Sequence, residues 1–231
     1  MRKFIISLFL VTLLGRGVSY CKLDCVFYHP TSVGTLFELK NYNEKDKLES
    51  TIKHKVVEKK TQGNSVLITG RGETFDKKGK TISSFDYSVK CEKGIFLMDM
   101  RNLISPEQMK SMQNMEVAVE GDFLDYPPNP ALGQKLKDGS ITFRVIGKGP
   151  VNIGLTSTVS NRMVEGLEKI TTPAGTFQCV KISSDVESKM LFSFKYRVVQ
   201  WFAENVGMVR SETYDTKGKL KGYSVLTELK T

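Results

Sequence analysis

Histidine is nearly missing from this chain: there are two in 231 residues, beside four cysteines. That supply is poor for a zinc site built from protein ligands alone. It is poor too for a Ser/His/Asp centre, which needs an imidazole to take and return a proton. His29 precedes Pro30, and His54 is flanked by Lys53 and Lys55. No nucleophile motif stands near either, and both read as surface residues. No Gly-rich loop opens a helix, so a phosphate cradle is unsupported. Seven prolines and 19 glycines exclude collagen-like and Pro-rich classes. Arginine is scarce, with 8 among the 34 basic residues and lysine supplying the other 26. A nucleic-acid surface usually shows Arg in a stripe with stacking aromatics. Here Lys is interleaved with Glu and Asp, so no nucleic-acid partner is expected.

Long apolar runs are also lacking, with one exception. Met1-Arg2-Lys3 is a basic start, Phe4 to Leu14 is apolar apart from Ser7 and Thr12, and Gly15-Arg16-Gly17 ends the run. This is the layout of a secretory signal peptide. The run is too short to span a bilayer, which takes about 20 residues. Small residues at Gly17 and Ser19 place cleavage after Ser19, giving a signal peptide over 1–19. A lipoprotein reading would make Cys21 the first mature residue, but Tyr20 stands where that signal wants a small side chain. The expectation is therefore an exported protein of the periplasm or envelope, without a transmembrane span once the signal is removed. Loss of Arg2, Lys3 and Arg16 lowers the formal charge from +9 to +6.

What remains is rich enough to fold. Forty per cent of the residues are hydrophobic, too many for a disordered chain. Residues 20–231 suit a single β-rich domain. Export permits disulfides, and Cys21, Cys25, Cys91 and Cys179 leave the pairing open. Gly34 to Tyr42, Met115 to Glu120, Ile141 to Val145 and Phe192 to Val198 alternate apolar and polar residues. Period 2 with β-branched and aromatic enrichment marks half-buried strands, and about a dozen such runs predict a mainly β chain. Val151 to Val159 and Met163 to Ile170 read as two of them. The predicted fold is an antiparallel curved sheet or half-barrel with one short helix. Ser105-Pro106-Glu107-Gln108 starts that helix, with Ser at N-cap, Pro at N1 and Gln at N3, and it runs over 106–113.

One turn pattern repeats. Phe75-Asp76-Lys77-Lys78-Gly79-Lys80 and Tyr214-Asp215-Thr216-Lys217-Gly218-Lys219 share aromatic, Asp, two residues, Gly, Lys. Tyr42-Asn43-Glu44-Lys45-Asp46-Lys47 is a third copy with Asp at the Gly position. Asp or Asn at the first position accepts from the following backbone, and Gly, or less easily Asp, takes the left-handed conformation. Hairpins are predicted at 43–46, 76–79 and 215–218. Asp122 to Ser140, with Tyr126-Pro127-Pro128-Asn129-Pro130, looks like a linker between two blocks of strands. The matching first and last hairpins favour one continuous sheet, with two halves joined near 122–140.

The second block carries the segments Thr171-Thr172-Pro173-Ala174-Gly175-Thr176-Phe177 and Trp201-Phe202-Ala203-Glu204-Asn205-Val206-Gly207-Met208-Val209. Pro173 presets a turn that Gly175 can close, and Asn205-Val206-Gly207 makes a second. With Cys25-x-x-Tyr28-x-Pro30, Gly34-Thr35 and the Gly133…Asp138-Gly139-Ser140 region, these segments resemble the TapB-like family of exported bacterial proteins. That resemblance implies an antiparallel β-rich fold, a curved half-barrel like periplasmic lipoprotein carriers, and no established catalytic residues. Asn205 and Lys137 depart from the family pattern, both in turns.

Two functions follow as expectations. The first is a non-enzymatic ligand carrier or interaction module, with an apolar face at Phe192, Phe194, Tyr196 and Trp201. It would take an apolar or lipid-like ligand or an envelope protein, with no cofactor and no metal. The alternative is an envelope glycan or lipid hydrolase using paired carboxylates about 5–10 Å apart.

Overall fold

The computed structural model describes residues 25–103, 117–146, 154–189 and 192–231. Within them the chain is almost entirely strand: β1 (Leu36–Asn43), β2 (Leu48–Gln62), β3 (Ser65–Asp76), β4 (Thr81–Glu92), β5 (Ile95–Asp99), β6 (Val117–Gly121), β7 (Phe123–Tyr126), β8 (Gly139–Val145), β9 (Gly154–Thr172), β10 (Gly175–Lys189), β11 (Ser193–Ala203), β12 (Gly207–Tyr214) and β13 (Leu220–Lys230). One 3-10 turn, Met100–Leu103, follows β5. The predicted helix at 106–113 and the predicted signal peptide lie outside the described residues.

All thirteen strands form one sheet, in the order β6-β8-β9-β10-β11-β12-β13-β1-β2-β3-β4-β5-β7. Every pairing is antiparallel, as hairpin connections dictate. β1 pairs with β13, which joins the first and last hairpins. The two ends of the order, β6 and β7, are separated in sequence by Asp122 alone. The sheet's two edges are therefore carried to one place by a single residue, and the sheet is a nearly closed barrel. Asp122 holds that seam. Its amide donates to the Ser140 carbonyl (2.9 Å), its carboxylate accepts from the Ser140 amide (2.9 Å), and its carbonyl accepts from the Met100 amide (3.3 Å). Bringing the edges together limits the exposed strand edges that invite aggregation.

The stretch expected to be linker from Asp122 to Ser140 is only partly so. Phe123–Tyr126 is β7, paired with β5, and Lys135 bridges to Met163 on β9. Four residues before a Pro-rich run carry too little period-2 pattern to show as a strand. From Gly154 on, the two predicted runs likewise fuse into β9, with Asn161 (φ 52°) where the register to β10 shifts; residues 151–153 of the first run lie outside the described residues. An Asn tolerates that left-handed backbone, and a bulge lets a long strand coil around a barrel.

The interior is filled. Val56, Ile68, Val89, Phe96, Leu124, Ile141, Val164, Ile182 and Phe202 point into one core. The N-terminal strap, residues 25–30, adds Phe27 and Tyr28 to it. Tyr28 meets Phe96, Tyr126 and Phe202 at ring separations of 6.0, 6.0 and 6.3 Å. Its hydroxyl donates to the Pro127 carbonyl (3.2 Å), and the Phe27 carbonyl accepts from the Asn205 amide (2.7 Å). A Cys25–Cys91 disulfide ties the strap to β4.

Candidate functional site

β11 sets the geometry. Its alternate residues Tyr196, Val198 and Phe202 pack on the main core, while Val199 and Trp201 pack on a second cluster with Cys179 and Val209. The structure therefore separates the four aromatic residues expected to share a face. Trp201 has the opposite parity, and its indole donates to Glu168 Oε2 (2.9 Å) with Lys181 above the ring. Tyr196 lines a small interior cavity of about 110 Å³ with Val159, Ile182, Val186 and Val198. Tyr196 and Val186 also line a crevice of about 500 Å³ that opens toward Lys195, Asp215 and Thr216. Phe192 and Phe194 stand at the start of β11, 76% and 66% exposed. They project where the core runs out, because β11 extends past the end of β12: Arg197 already pairs with Tyr214, its last residue.

The hairpin tips gather at this rim. Asn43, Asp76 and Asp215 each accept through Oδ1 from the amides two and four residues on, at 2.8–3.2 Å. Asp46, Gly79 and Gly218 close the turns at φ 56°, 80° and 79°. The turn hydrogen bonds hold the Asp76 and Asp215 carboxyls below the usual carboxylate range. The tips are neighbours: Lys219 donates to Glu44, the Tyr223 hydroxyl donates to Asp46, and Ser50 pairs with Asp76.

A larger crevice of about 730 Å³ opens on the face that carries Trp201, lined by Lys135, Lys137, Asp138, Asn161, Arg162 and Arg197. Its two arginines are engaged. Arg162 is buried and donates to Asp125 Oδ1 (2.9 Å), the Asp125 carbonyl (2.8 Å) and the Lys137 carbonyl (2.6 Å). Arg197 pairs with both Glu165 (3.1 Å) and Asp185 (3.8 Å). Glu165 also accepts from Ser183 (2.5 Å), and Asp185 accepts from Asn161 (2.9 Å).

Neither histidine is a surface residue. His29 Nδ1 donates to the Pro30 carbonyl (2.7 Å), leaving Nε2 to accept from the Tyr87 hydroxyl (3.1 Å). His54 stacks on Phe37 at 4.5 Å and meets Tyr87 edge-on at 5.4 Å, and its Nδ1 is buried without a hydrogen-bond partner among the described residues. Burial pulls His29 down to about 4 and His54 to about 3. The lysines flanking His54 pointed to solvent, but the parity of β2 turns the ring the other way. Tyr87 and Phe85 lie over Gly70 and Gly72, where a Cβ would come within 2.3 Å of either ring. Cys179 is a buried thiol, pushed up to about 11 by desolvation. Among the described residues no group of three His, Cys, Asp or Glu side chains could hold a metal ion. Among them, too, no helix is long and apolar enough to cross a membrane.

Fold and site together define a nearly closed antiparallel barrel with a filled interior and one aromatic, lysine-rich rim. The chain belongs to the DUF3108-like family, which matches residues 32–226. It is similar to a putative lipoprotein from Parabacteroides distasonis, with 28% identity and a TM-score of 0.76 over 90% of this chain and 100% of the other. It is also similar to a putative exported protein with a YmcC-like fold from Bacteroides fragilis, at 27% identity and TM-score 0.75 over the same shares. No curated protein matches it.

Proposed function

We propose that this is an exported, non-enzymatic interaction module of the cell envelope. The open end of its barrel takes an apolar or lipid-like group, with Phe192, Phe194 and Tyr196 in contact. The observation that carries this reading is the exposure of two phenylalanines, 76% and 66%, beside a crevice that Tyr196 lines. Large exposed aromatic residues grouped at one place usually mark a contact surface. The interior cavity that Tyr196 lines, about 110 Å³, is below the roughly 300–1,000 Å³ of a pocket that engulfs a small molecule. Docking at the rim therefore suits this barrel better than carriage of a whole lipid inside it. Export is supported by the N-terminal signal pattern, by the Cys25–Cys91 bond and by the exported relatives. The resemblance of the TTPAGTF turn and WFAENVGMV segment to the TapB-like proteins supports a narrower reading within the family.

The test is titration with a monomeric short-chain phospholipid, dihexanoyl phosphatidylcholine, followed by NMR. Shifts should centre on Phe192, Phe194 and Tyr196 and vanish in the Phe192→Ser/Phe194→Ser variant. Shifts confined to other surfaces, or none, would overturn the reading.

A further inference from the structure

The phenylalanines do not stand alone on their rim. In spatial order it carries the 76–79 tip, the 43–46 tip, the 215–218 tip and then the start of β11. Those three tips hold Lys45, Lys47, Lys77, Lys78, Lys80, Lys217 and Lys219, all exposed, against Glu44, Asp46, Asp76 and Asp215. Lys219 pairs with Glu44, whereas the other six are in no ion pair within the described residues. Asp76 and Asp215 are occupied with their own turn amides. Past Phe192 and Phe194 the rim continues to the end of β8, where Ile146 is also more than half exposed. The opposite rim differs. Its four turns, 63–64, 93–94, 173–174 and 204–206, hold one lysine, Lys93, and one glutamate, Glu204. The described chain starts at that opposite rim, where Cys25 bonds to Cys91 near the end of β4.

We infer that the rim formed by the three lysine tips, Phe192, Phe194 and Ile146 docks on an anionic phospholipid bilayer. This rests on the reading above and names the partner of the same site. The charge is complementary: exposed ammonium groups on short turns are drawn to an anionic leaflet within a Debye length. The apolar side chains beside them can enter the headgroup boundary as the apolar face of an interfacial element does. A rim with lysines alone would bind only at low salt, and one with phenylalanines alone would not choose anionic lipid. The barrel would then stand on the bilayer with its N-terminal strap at the far end.

The experiment is co-sedimentation of the purified mature protein with vesicles of phosphatidylcholine alone and of phosphatidylcholine with a quarter phosphatidylglycerol. Binding to the anionic vesicles should exceed binding to neutral ones by about tenfold or more and weaken as salt rises, since each basic residue adds to the attraction. Lys77→Glu/Lys78→Glu/Lys217→Glu should abolish the preference, and Phe192→Ser/Phe194→Ser should lower binding to both compositions. Lys59→Glu/Lys93→Glu, at the far rim, should change neither. Equal binding to both vesicles, or indifference to the lysine triple, would overturn the inference. If the short-chain lipid still shifts Phe192 and Phe194, the apolar-site reading survives that failure; if it does not, both fall.

Discussion

His29 and His54 show what one residue can do when burial decides its charge. The His29 ring lies against Phe37 and Tyr87 and the His54 ring among Phe37, Phe85 and Tyr87, surroundings that favour the neutral form. Burial lowers both from the ordinary value of 6.5, to about 4 and about 3. The unfolded chain therefore takes up these protons at a higher pH than the folded one, and stability is whole above about pH 6.5 and falls as pH drops toward 4. Urea midpoints measured between pH 7.5 and 4 should fall steadily through that window. In His29→Phe/His54→Phe the fall should be shallower, and an unchanged slope would show that other groups set the acid response. The sequence named both residues but not their surroundings. Lys53 and Lys55 advertise the solvent face of β2, and the residue between them faces the other side by strand period. That inference was available; the burial of His29 was not, because the strap has no period of its own.

The hairpin tips belong to the element scale. Their sequence pattern was sufficient: each turn forms where predicted, with Asn43, Asp76 or Asp215 bonding its own backbone and Asp46, Gly79 or Gly218 left-handed. Local chemistry decides such turns, so no distant contact is needed to read them. Gly79→Ala and Gly218→Ala should each cost about 1 kcal/mol, because a Cβ is strained in this conformation. Asp46→Gly should be near neutral: relief of the strain is offset by losing the bond from the Tyr223 hydroxyl (3.0 Å). Thermal unfolding of the three variants checks the contrast, and a stabilised Gly79→Ala would contradict it. β7 is the opposite case. Four residues ending at a Pro-rich run are defined as a strand only by their pairing with β5.

At the scale of the whole molecule, closure and the strap go together. Asp122 brings the sheet's edges to one place, and Phe27 and Tyr28 help fill the space the sheet encloses. The Cys25–Cys91 bond closes a loop of 66 residues, a constraint worth about 4 kcal/mol in the chain-entropy account. Reduction, or Cys25→Ser/Cys91→Ser, should lower unfolding stability by roughly 2–4 kcal/mol and raise binding of an apolar dye as the strap loosens. A melt insensitive to reductant would show that packing of Phe27 and Tyr28 alone retains the strap.

Sequence by itself determined most of the strands, the three tips, the turns at Pro173 and Asn205 and the export signal pattern, because period, turn chemistry and charge are local. Tertiary structure alone decided that Cys25 partners Cys91, that β6 and β7 meet at Asp122, and that the strap helps fill the interior. It also decided that Trp201 lies across the sheet from Tyr196. Each of these depends on which distant strands become neighbours, and a chain of similar alternating runs does not encode that in any one of them.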